Sequence, residues 1–457
     1  MFRRRALVAL LLLTLPAMAR AQESAPPDTT VVEFDHPKPL RALGEVVGTN
    51  LAIWTYDRYI RENGTNPGFR IGFNSWEENM LNGFEWDDNN FKTNQFAHPY
   101  HGSMYFNAAR SSGYDFWTSI PFAFTGSILW EYMFEIHHPS YNDWIATSVG
   151  GTTLGEMMHR LSSLILDDRD TGGSRRWREL GALLVDPMRG LNRIIDGDVS
   201  RVGPNPSDWR PGYLGMRFDA GLRVTGEDKL TDADTTRAFI SLEGQYGDPF
   251  GRDRRKPFDT FGFGVDLNFG DASVLSGVRA RGLLAAADLK RSEKTNHLLG
   301  AFLNFDYANT NAYTLGGQSI GAGVMSRFDD TFLGDIRTEI HANAVILGAV
   351  KSDYESYTGR AYDYGPGASA IIAASLVRNN RPWLSVRHSE VWIHTLNGTD
   401  GEHFVSVTRA RVDVPIAPTL GVGAMYQLYL SDADYTDLED THHRLPELRA
   451  FLSFPLD

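Results

Sequence analysis

The spacing of hydrophobic residues changes once along the chain, from a helical period to a period of two. In the first part, apolar residues such as Leu43, Val46 and Val47 recur at positions that share one helical face. This spacing predicts helices over 40–59, from Asn74 to Gly83, and over 102–110, 116–136, 144–166 and 176–195. A stretch rich in proline and glycine, from Asp196 to Gly212, then ends the helical pattern.

Beyond residue 212, apolar and polar residues alternate, as they do in strands with two different faces. In 335–346, for example, Ile336 and Ile340 alternate with Arg337, Glu339 and His341. Twelve such segments are predicted, over 213–224, 237–247, 259–269, 273–289, 296–308, 312–327, 332–349, 361–377, 382–396, 402–414, 418–431 and 445–456. Most of them reach the roughly 9–11 residues that a tilted strand needs to cross a bilayer.

Two architectures fit alternating strands, a soluble β-sandwich and a transmembrane barrel. Several of the segments are longer than the usual strand of a soluble protein, and their polar faces carry charges that suit a wet lumen. The even number of strands and the strand at the C-terminus also favour the barrel. The predicted fold is therefore a two-part, α plus all-β chain, with a helical domain followed by an antiparallel, roughly 12-stranded transmembrane β-barrel.

The N-terminus has the pattern of a secretory signal. Arg3 to Arg5 precede an apolar run, and Ala19-Arg20-Ala21 is a small-x-small cleavage site. We therefore expect a signal peptide over 1–21, a flexible leader over 22–38, a helical domain over 39–196, a linker over 197–212 and the barrel over 213–457. The expected location is the outer membrane of a Gram-negative envelope, with the N-terminal domain in the periplasm.

Composition and charge exclude several classes of function. The chain contains no cysteine, so it has neither disulfides nor thiol chemistry. Its formal net charge of −13 argues against a nucleic-acid partner, because phosphate contacts need a basic surface. The sequence also lacks a nucleotide-binding glycine loop. The partners expected for a barrel of this kind are outer-membrane lipid and the barrel-assembly machinery.

The residues with the greatest chemical potential lie between His98 and His159, in an otherwise apolar, helix-like stretch. The candidate catalytic residues are His98, His101, Glu131, Glu135, Asp143 and Glu156. The candidate ligands of a divalent metal are His98, His101, Glu131, Glu135, His138, Glu156 and His159. Two of these pairs, Glu135-x-x-His138 and Glu156-x-x-His159, have the spacing used by carboxylate-bridged di-metal sites, whereas His98 and His101 are expected on a loop, because Pro99 disfavours helix at His98.

A structural interpretation of the same residues is also possible. Glu131 and Glu156 would then pair with Arg110 or Arg160, and Asp143 would cap a helix. The carboxylates Glu131 and Glu135 share a helical face and repel each other, so a cation, a metal ion or a shared proton is expected beside them. The candidate substrate-binding residues are Tyr105 and Arg110 in the helical part and Arg337, Glu339 and His341 on one polar face of the barrel.

The stretch also resembles an uncharacterised bacterial family, a domain of unknown function. The resemblance covers about residues 40–200 and depends on His98-Pro-Tyr-x-Gly102, Tyr105, Ala109-Arg110, Gly126-Ser-x-x-Trp130-Glu131-Tyr, Ser140-x-Asn142-Asp143, Gly150-Gly151 and Gly155-Glu156. It implies a helical periplasmic domain that precedes an outer-membrane barrel, and it implies no activity.

Two functional hypotheses follow from these patterns. In the first, the helical domain plugs or supports a barrel that serves envelope structure or the passage of a small or lipidic solute. In the second, the protein is an envelope enzyme, a metal-dependent or acid–base hydrolase of lipid or cell-wall material, that uses the histidine and glutamate residues of the helical domain.

Overall fold

The computed structural model describes residues 36–456, apart from 233–234, 252–255, 272, 356–358 and 380. The expected signal peptide and almost all of the expected leader lie outside the described residues. The chain divides into two compact units, and the division falls between Arg210 and Pro211. The first unit is helical and the second consists of strands, so the predicted two-part fold is confirmed.

The helical unit is built from α-helices joined by short 3-10 and π turns. Its α-helices are α1 (Pro39–Tyr59), α2 (Phe73–Asn82), α3 (His98–Ser111), α4 (Phe116–Met133), α5 (Tyr141–Ile145), α6 (Gly151–Ile165), α7 (Gly172–Val185) and α8 (Pro187–Ile195). Turns of 3-10 helix occupy Arg61–Gly64 and Pro67–Phe69, and π turns occupy Thr93–Ala97 and Ala146–Gly150. No helix among the described residues is both long enough and apolar enough to cross a membrane.

The helix boundaries follow from local side-chain chemistry. Asp115 begins α4, because its Oδ1 accepts a hydrogen bond from the backbone N–H of Thr118 at 2.8 Å. The single helix predicted over 176–195 is wrong, because the chain breaks at Asp186 into α7 and α8. Pro187 explains the break, since proline lacks the N–H that a helix interior needs and suits the first position of a new helix.

Helix α3 lies at the centre of the helical unit and packs against α1, α4, α6 and α8. Tyr105 and Ala108 of α3 form a buried apolar cluster with Val46 of α1 and Met188 of α8. On another side, Gly102 faces the backbone of Thr147, and a β-carbon at Gly102 would lie only 1.8 Å from that carbonyl oxygen. Glycine therefore allows α3 and the segment before α6 to approach almost backbone to backbone.

The second unit is a closed antiparallel barrel in which each strand pairs with the next and the last pairs with the first. Its strands are β1 (Leu214–Thr225), β2 (Thr236–Tyr246), β3 (Phe261–Asn268), β4 (Leu275–Arg291), β5 (Thr295–Asn309), β6 (Thr314–Thr331), β7 (Gly334–Lys351), β8 (Tyr362–Arg378), β9 (Arg381–His394), β10 (Gly401–Ala417), β11 (Leu420–Tyr435) and β12 (Thr441–Pro455). All twelve predicted segments correspond to these strands.

The two faces of the barrel differ as the alternation predicts. On β7, Ile340 is 58% exposed on the outer face, and Ile372 of β8, directly opposite it, is 56% exposed. The neighbouring residues Glu339 and His341 point to the inner face, where His341 is buried. An apolar outside and a charged inside are typical of a transmembrane barrel, in which lipid surrounds the wall and water fills the lumen.

Candidate functional site

Three metal-capable side chains of the helical unit meet in one place. His98 is the first residue of α3, Glu131 lies in the last turn of α4, and Asp143 lies in α5. One ligand atom from each of the three lies within 4.8 Å of the other two. Glu131 and Asp143 are buried and His98 is partly buried. We call these three residues the His98–Glu131–Asp143 cluster.

The position of His98 corrects one prediction. The sequence predicted that His98 and His101 lie on a loop, but both are helical, and the backbone angles of His98 are φ −62° and ψ −50°. Pro99 is tolerated here because the π turn that directly precedes α3 interrupts the regular α-helical hydrogen bonding at the position where proline has no N–H to donate. The π turn Thr93–Ala97 leads into this helix, and the N–H of His98 donates to the carbonyl oxygen of Thr93.

A network of short polar contacts surrounds the cluster. Glu131 Oε2 accepts a hydrogen bond from the backbone N–H of Ser140 at 2.9 Å. Asp143 Oδ1 accepts one from the side-chain amide of Asn142 at 2.9 Å and lies 3.6 Å from His98 Nε2. The other ring nitrogen of His98 lies 3.3 Å from the hydroxyl oxygen of Thr147, which belongs to the second π turn. The His98–Glu131–Asp143 cluster is thus held by backbone and side-chain groups from three segments.

The second oxygen of Glu131 has no such support. Glu131 Oε1 is buried and receives no hydrogen bond from a nitrogen or hydroxyl group of the described residues. The side chain of Glu135, four residues later, lies within hydrogen-bonding range of Glu131. Because a carboxylate cannot donate, a hydrogen bond between these two groups requires a shared proton. Either a proton shared with Glu135 or a bound cation can therefore stabilise the buried carboxyl group of Glu131.

Burial controls the ionisation of the cluster. It raises the pKa values of Glu131, Glu135 and Asp143 well above their ordinary values, and nearby acidic groups, which include Asp87, raise them further. Burial also lowers the pKa of His98 to about 4. All four groups are therefore driven towards their neutral forms, as expected for ionisable groups that have been removed from water.

His101 and Tyr105 form a separate contact on the next turn of α3. His101 Nε2 lies 2.6 Å from the hydroxyl oxygen of Tyr105, and that hydroxyl group donates to the side-chain oxygen of Asn50. The ring of Trp130 packs edge-on against His101, with 4.9 Å between the ring centroids. The structure thus places His101 in a buried contact with Tyr105 rather than with the His98–Glu131–Asp143 cluster.

The two Glu-x-x-His motifs do not converge on one centre. Glu156 is fully buried and accepts hydrogen bonds from Arg110 at 2.7 Å and from Arg160 at 2.8 Å. Burial raises the pKa of Glu156, but the two guanidinium groups outweigh it and hold that pKa below its ordinary value. The arrangement matches the structural interpretation of Glu156 and explains the role of Arg110.

The histidines of the two motifs have other neighbours. His159 Nδ1 lies 3.3 Å from Asp186, which begins α8. His138 Nδ1 lies 3.1 Å from Glu85 on a more exposed part of the helical unit. Among the described residues, the only group of at least three side chains placed to share a metal ion is the His98–Glu131–Asp143 cluster. The sequence patterns predict a functional role for all three members, but they predict Asp143 as a catalytic residue and not as a metal ligand.

The barrel has a polar centre of its own. Arg337, Glu339 and His341 alternate along β7 and share the inner face, as predicted. Glu339 Oε2 lies 3.5 Å from Arg387, 3.7 Å from Arg281 and 3.8 Å from His341. Packing of His341 against the ring of Phe302, at 4.6 Å between centroids, fixes the imidazole beside this carboxylate.

A cavity of about 1120 Å³, which includes its opening to solvent, lies in the lumen. Tyrosines and charged side chains from many strands line it: Asp266, Arg279, Arg281, Asp306, Tyr307, Tyr313, Arg387, Arg409, Tyr429 and Arg449. The sequence alone does not predict a functional role for Arg387 or Arg409. Strand alternation places each on a polar face, but only the pairing register shows that they face each other.

Comparison with known proteins gives matches to the barrel and to the helical unit. No curated protein matches the sequence. Among solved structures, the NanC porin is 10% identical and covers 53% of this chain and 99% of its own, with a TM-score of 0.27. The Pseudomonas putida toluene transporter TodX is 10% identical and covers 54% and 90%, with a TM-score of 0.23. The Acinetobacter baumannii outer membrane channel DcaP is 12% identical and covers 53% and 96%, also with a TM-score of 0.23.

In the helical unit, residues 83–188 match the family model described as a domain of unknown function, DUF3943. This match confirms the resemblance that the sequence motifs indicated, and the matched residues include every member of the His98–Glu131–Asp143 cluster.

Proposed function

We propose that the barrel unit is an outer-membrane channel through which a small solute passes. The observation that carries this proposal is a cavity with several arginines, aspartates and tyrosines in its lining, inside a closed barrel whose outer face is apolar. Closure satisfies the backbone hydrogen bonds of every strand, which a wall in contact with lipid requires. The charged inner face keeps water in the lumen, and water gives a small polar solute a path.

The signal peptide predicted from the sequence and the closed barrel together support a location in the outer membrane. An even number of antiparallel strands returns the chain to the side of the membrane where the barrel began. The helical unit precedes β1 and would therefore lie on the periplasmic side, where short turns and chain ends of such barrels are usual. There it would support or plug the barrel, with outer-membrane lipid and the barrel-assembly machinery as partners.

Reconstitution of the full chain in planar lipid bilayers tests the channel. We expect stepwise currents, and we expect Ser389→Trp to lower the conductance of a single channel at least about twofold, because Ser389 lines the cavity and a ring there narrows it. Ala374→Trp is the matched control, because Ala374 is exposed on the outer face. Absence of current, or equal conductance in both variants, would contradict a lumen pathway.

We also propose, as a second function, that the helical unit binds one divalent cation at the His98–Glu131–Asp143 cluster. One imidazole and two carboxylates suit zinc or manganese better than calcium, and three protein ligands leave a position for water, as in hydrolytic zinc sites. In a tetrahedral zinc site the ligand atoms lie roughly 3.4 Å apart. The 3.6 Å from His98 to Asp143 already approaches this spacing, and small side-chain rotations would close the rest.

Elemental analysis and thermal melting test the cation site. After dialysis against zinc or manganese, wild-type protein should retain about one equivalent and melt at a higher temperature, because a ligand that binds only the folded state stabilises it. Glu131→Gln and Asp143→Asn should lose both effects, whereas Glu85→Gln, which alters the exposed carboxylate beside His138, should keep them. Metal-free wild-type protein that is unaffected by Glu131→Gln would instead support a proton shared by Glu131 and Glu135.

A further inference from the structure

Two arginines face each other across neighbouring strands in the lumen of the barrel. Arg387 of β9 pairs in register with Arg409 of β10, so both side chains emerge on the same face, and both line the cavity. Side chains that are directly opposite in an antiparallel pair have β-carbons only about 5 Å apart, and like charges in these positions repel each other. The two like charges therefore lie opposite each other in a part of the lumen that is open to solvent.

The carboxylates of the lumen form only one direct ion pair with these two arginines, and that one is to Arg387. The nearest acidic partner of Arg387 is Glu339 at 3.5 Å, and Glu339 also lies beside Arg281. Arg409 forms no ion pair or hydrogen bond within the described part of the chain, and its buried Nε has no acceptor. One carboxylate thus serves two arginines, and the third, Arg409, has no carboxylate within ion-pairing distance among the described residues.

Other arginines on the inner face are well paired. Arg279 lies 2.9 Å from Asp266 and 3.1 Å from Glu243. Arg411, two residues beyond Arg409 on the same face of β10, lies 2.6 Å from Asp413 and also contacts Asp219. The shortage of ion-pair partners is therefore concentrated where Arg281 and Arg387 share Glu339 and Arg409 has no ion pair, and it is not a general property of the lumen.

We infer that Arg387 and Arg409 form an anion-binding site for the oxyanion group, carboxylate or phosphate, of a small solute that enters the lumen. Two guanidinium groups offer planar, paired N–H donors whose geometry matches both kinds of oxyanion. An oxyanion between them removes the repulsion and gives Arg409 the acceptor that it lacks. The inference rests on the proposed channel only for the route by which the solute arrives, because binding itself can be measured without transport.

Titration calorimetry of the full chain in detergent, with inorganic phosphate and with succinate, tests the site directly. We expect wild-type protein to bind at least one of the two anions, and we expect Arg409→Gln to weaken that binding at least about tenfold, the effect of losing a charge-assisted contact. Arg409→Lys should bind with intermediate affinity, because it keeps the charge and loses the planar fork. Arg237→Gln is the matched control: it removes the same charge from an inward-facing arginine that is paired with Asp271.

Bilayer recordings in a potassium chloride gradient provide the second measurement. Wild-type channels should prefer anions, and Arg409→Gln should reduce that preference while Arg237→Gln leaves it unchanged. If Arg409→Gln does not fold, Arg387→Gln and Arg409→Lys provide the same comparison. The anion preferred in calorimetry separates a phosphate-bearing from a carboxylate-bearing solute.

The outcomes separate this inference from the channel proposal. Anion binding that depends on Arg409 in a protein that carries no current supports the site and contradicts the channel. Current without anion preference, together with the absence of binding to either anion, supports the channel and overturns the site. Binding of equal strength in wild type, Arg409→Gln and Arg237→Gln also overturns it, because the anion then binds elsewhere.

Discussion

Replacement of Glu156 with alanine is expected to destabilise the helical unit by about 3–5 kcal/mol, the usual cost of removing one partner from a buried ion pair. Glu156 is fully buried and joins Arg110 of α3 to Arg160 of α6. Without it, two largely buried guanidinium groups face each other with no intervening charge. Thermal and urea unfolding followed by far-UV circular dichroism would measure the loss, and Glu77→Ala, an exposed glutamate of α2, is the control expected to change little.

The contribution of Glu156 to the stability of the helical unit should also depend on pH, and the direction of its pKa shift fixes the sign of that dependence. Because the arginines hold the pKa of Glu156 below its ordinary value of 4.5, its contribution to stability is fully present above that value. The contribution is lost as the pH falls through the lower pKa of the folded state. The difference in unfolding free energy between wild type and Glu156→Ala should therefore be constant near neutral pH and shrink in acid. A difference below about 1 kcal/mol at neutral pH would show that the two arginines find other acceptors.

The barrel is predictable from sequence in more detail than the helical unit. Its strands carry a period of two over long segments, so alternation alone assigns Arg337, Glu339 and His341 to one face. The register between strands is a longer-range property. For that reason, the sequence places Arg387 and Arg409 on polar faces but does not show that they are directly opposite.

The helical unit is predicted less completely, for two physical reasons. The usual preference of a residue before proline suggests an extended His98, whereas the preceding π turn makes helix possible there. The apolar spacing continues across Pro187 and so conceals the division into α7 and α8. The sequence also does not show which partners each buried glutamate contacts. Glu131 and Glu156 both lie in apolar helical stretches, but tertiary packing places Arg110 and Arg160 beside Glu156 and places His98 and Asp143 beside Glu131.

Replacement of Gly102 with alanine is expected to cost at least about 3 kcal/mol of stability, at the upper end of the range for overpacked cores. The new β-carbon would lie 1.8 Å from the carbonyl oxygen of Thr147, and that neighbour is backbone, so no side-chain rotation relieves the contact. Gly151 approaches the same place from the other side, since its β-carbon would lie 2.6 Å from the α-carbon of Gly102. The two helical segments must separate to accept either methyl group.

The separation caused by Gly102→Ala should reach the His98–Glu131–Asp143 cluster as well as the core. Gly102 follows His98 by one helical turn, and Thr147 lies 3.3 Å from the ring of His98, so a shift here moves His98 away from Asp143. Gly44→Ala in α1 is the matched control, because Gly44 has open space around its α-carbon and alanine favours helix by about 1 kcal/mol. Unfolding measurements should thus show opposite signs for the two variants. Equal stability of Gly102→Ala and wild type would mean that the helices do not approach so closely in solution, and the geometry of the cluster would then have to be maintained by Ser140, Asn142 and Thr147 alone.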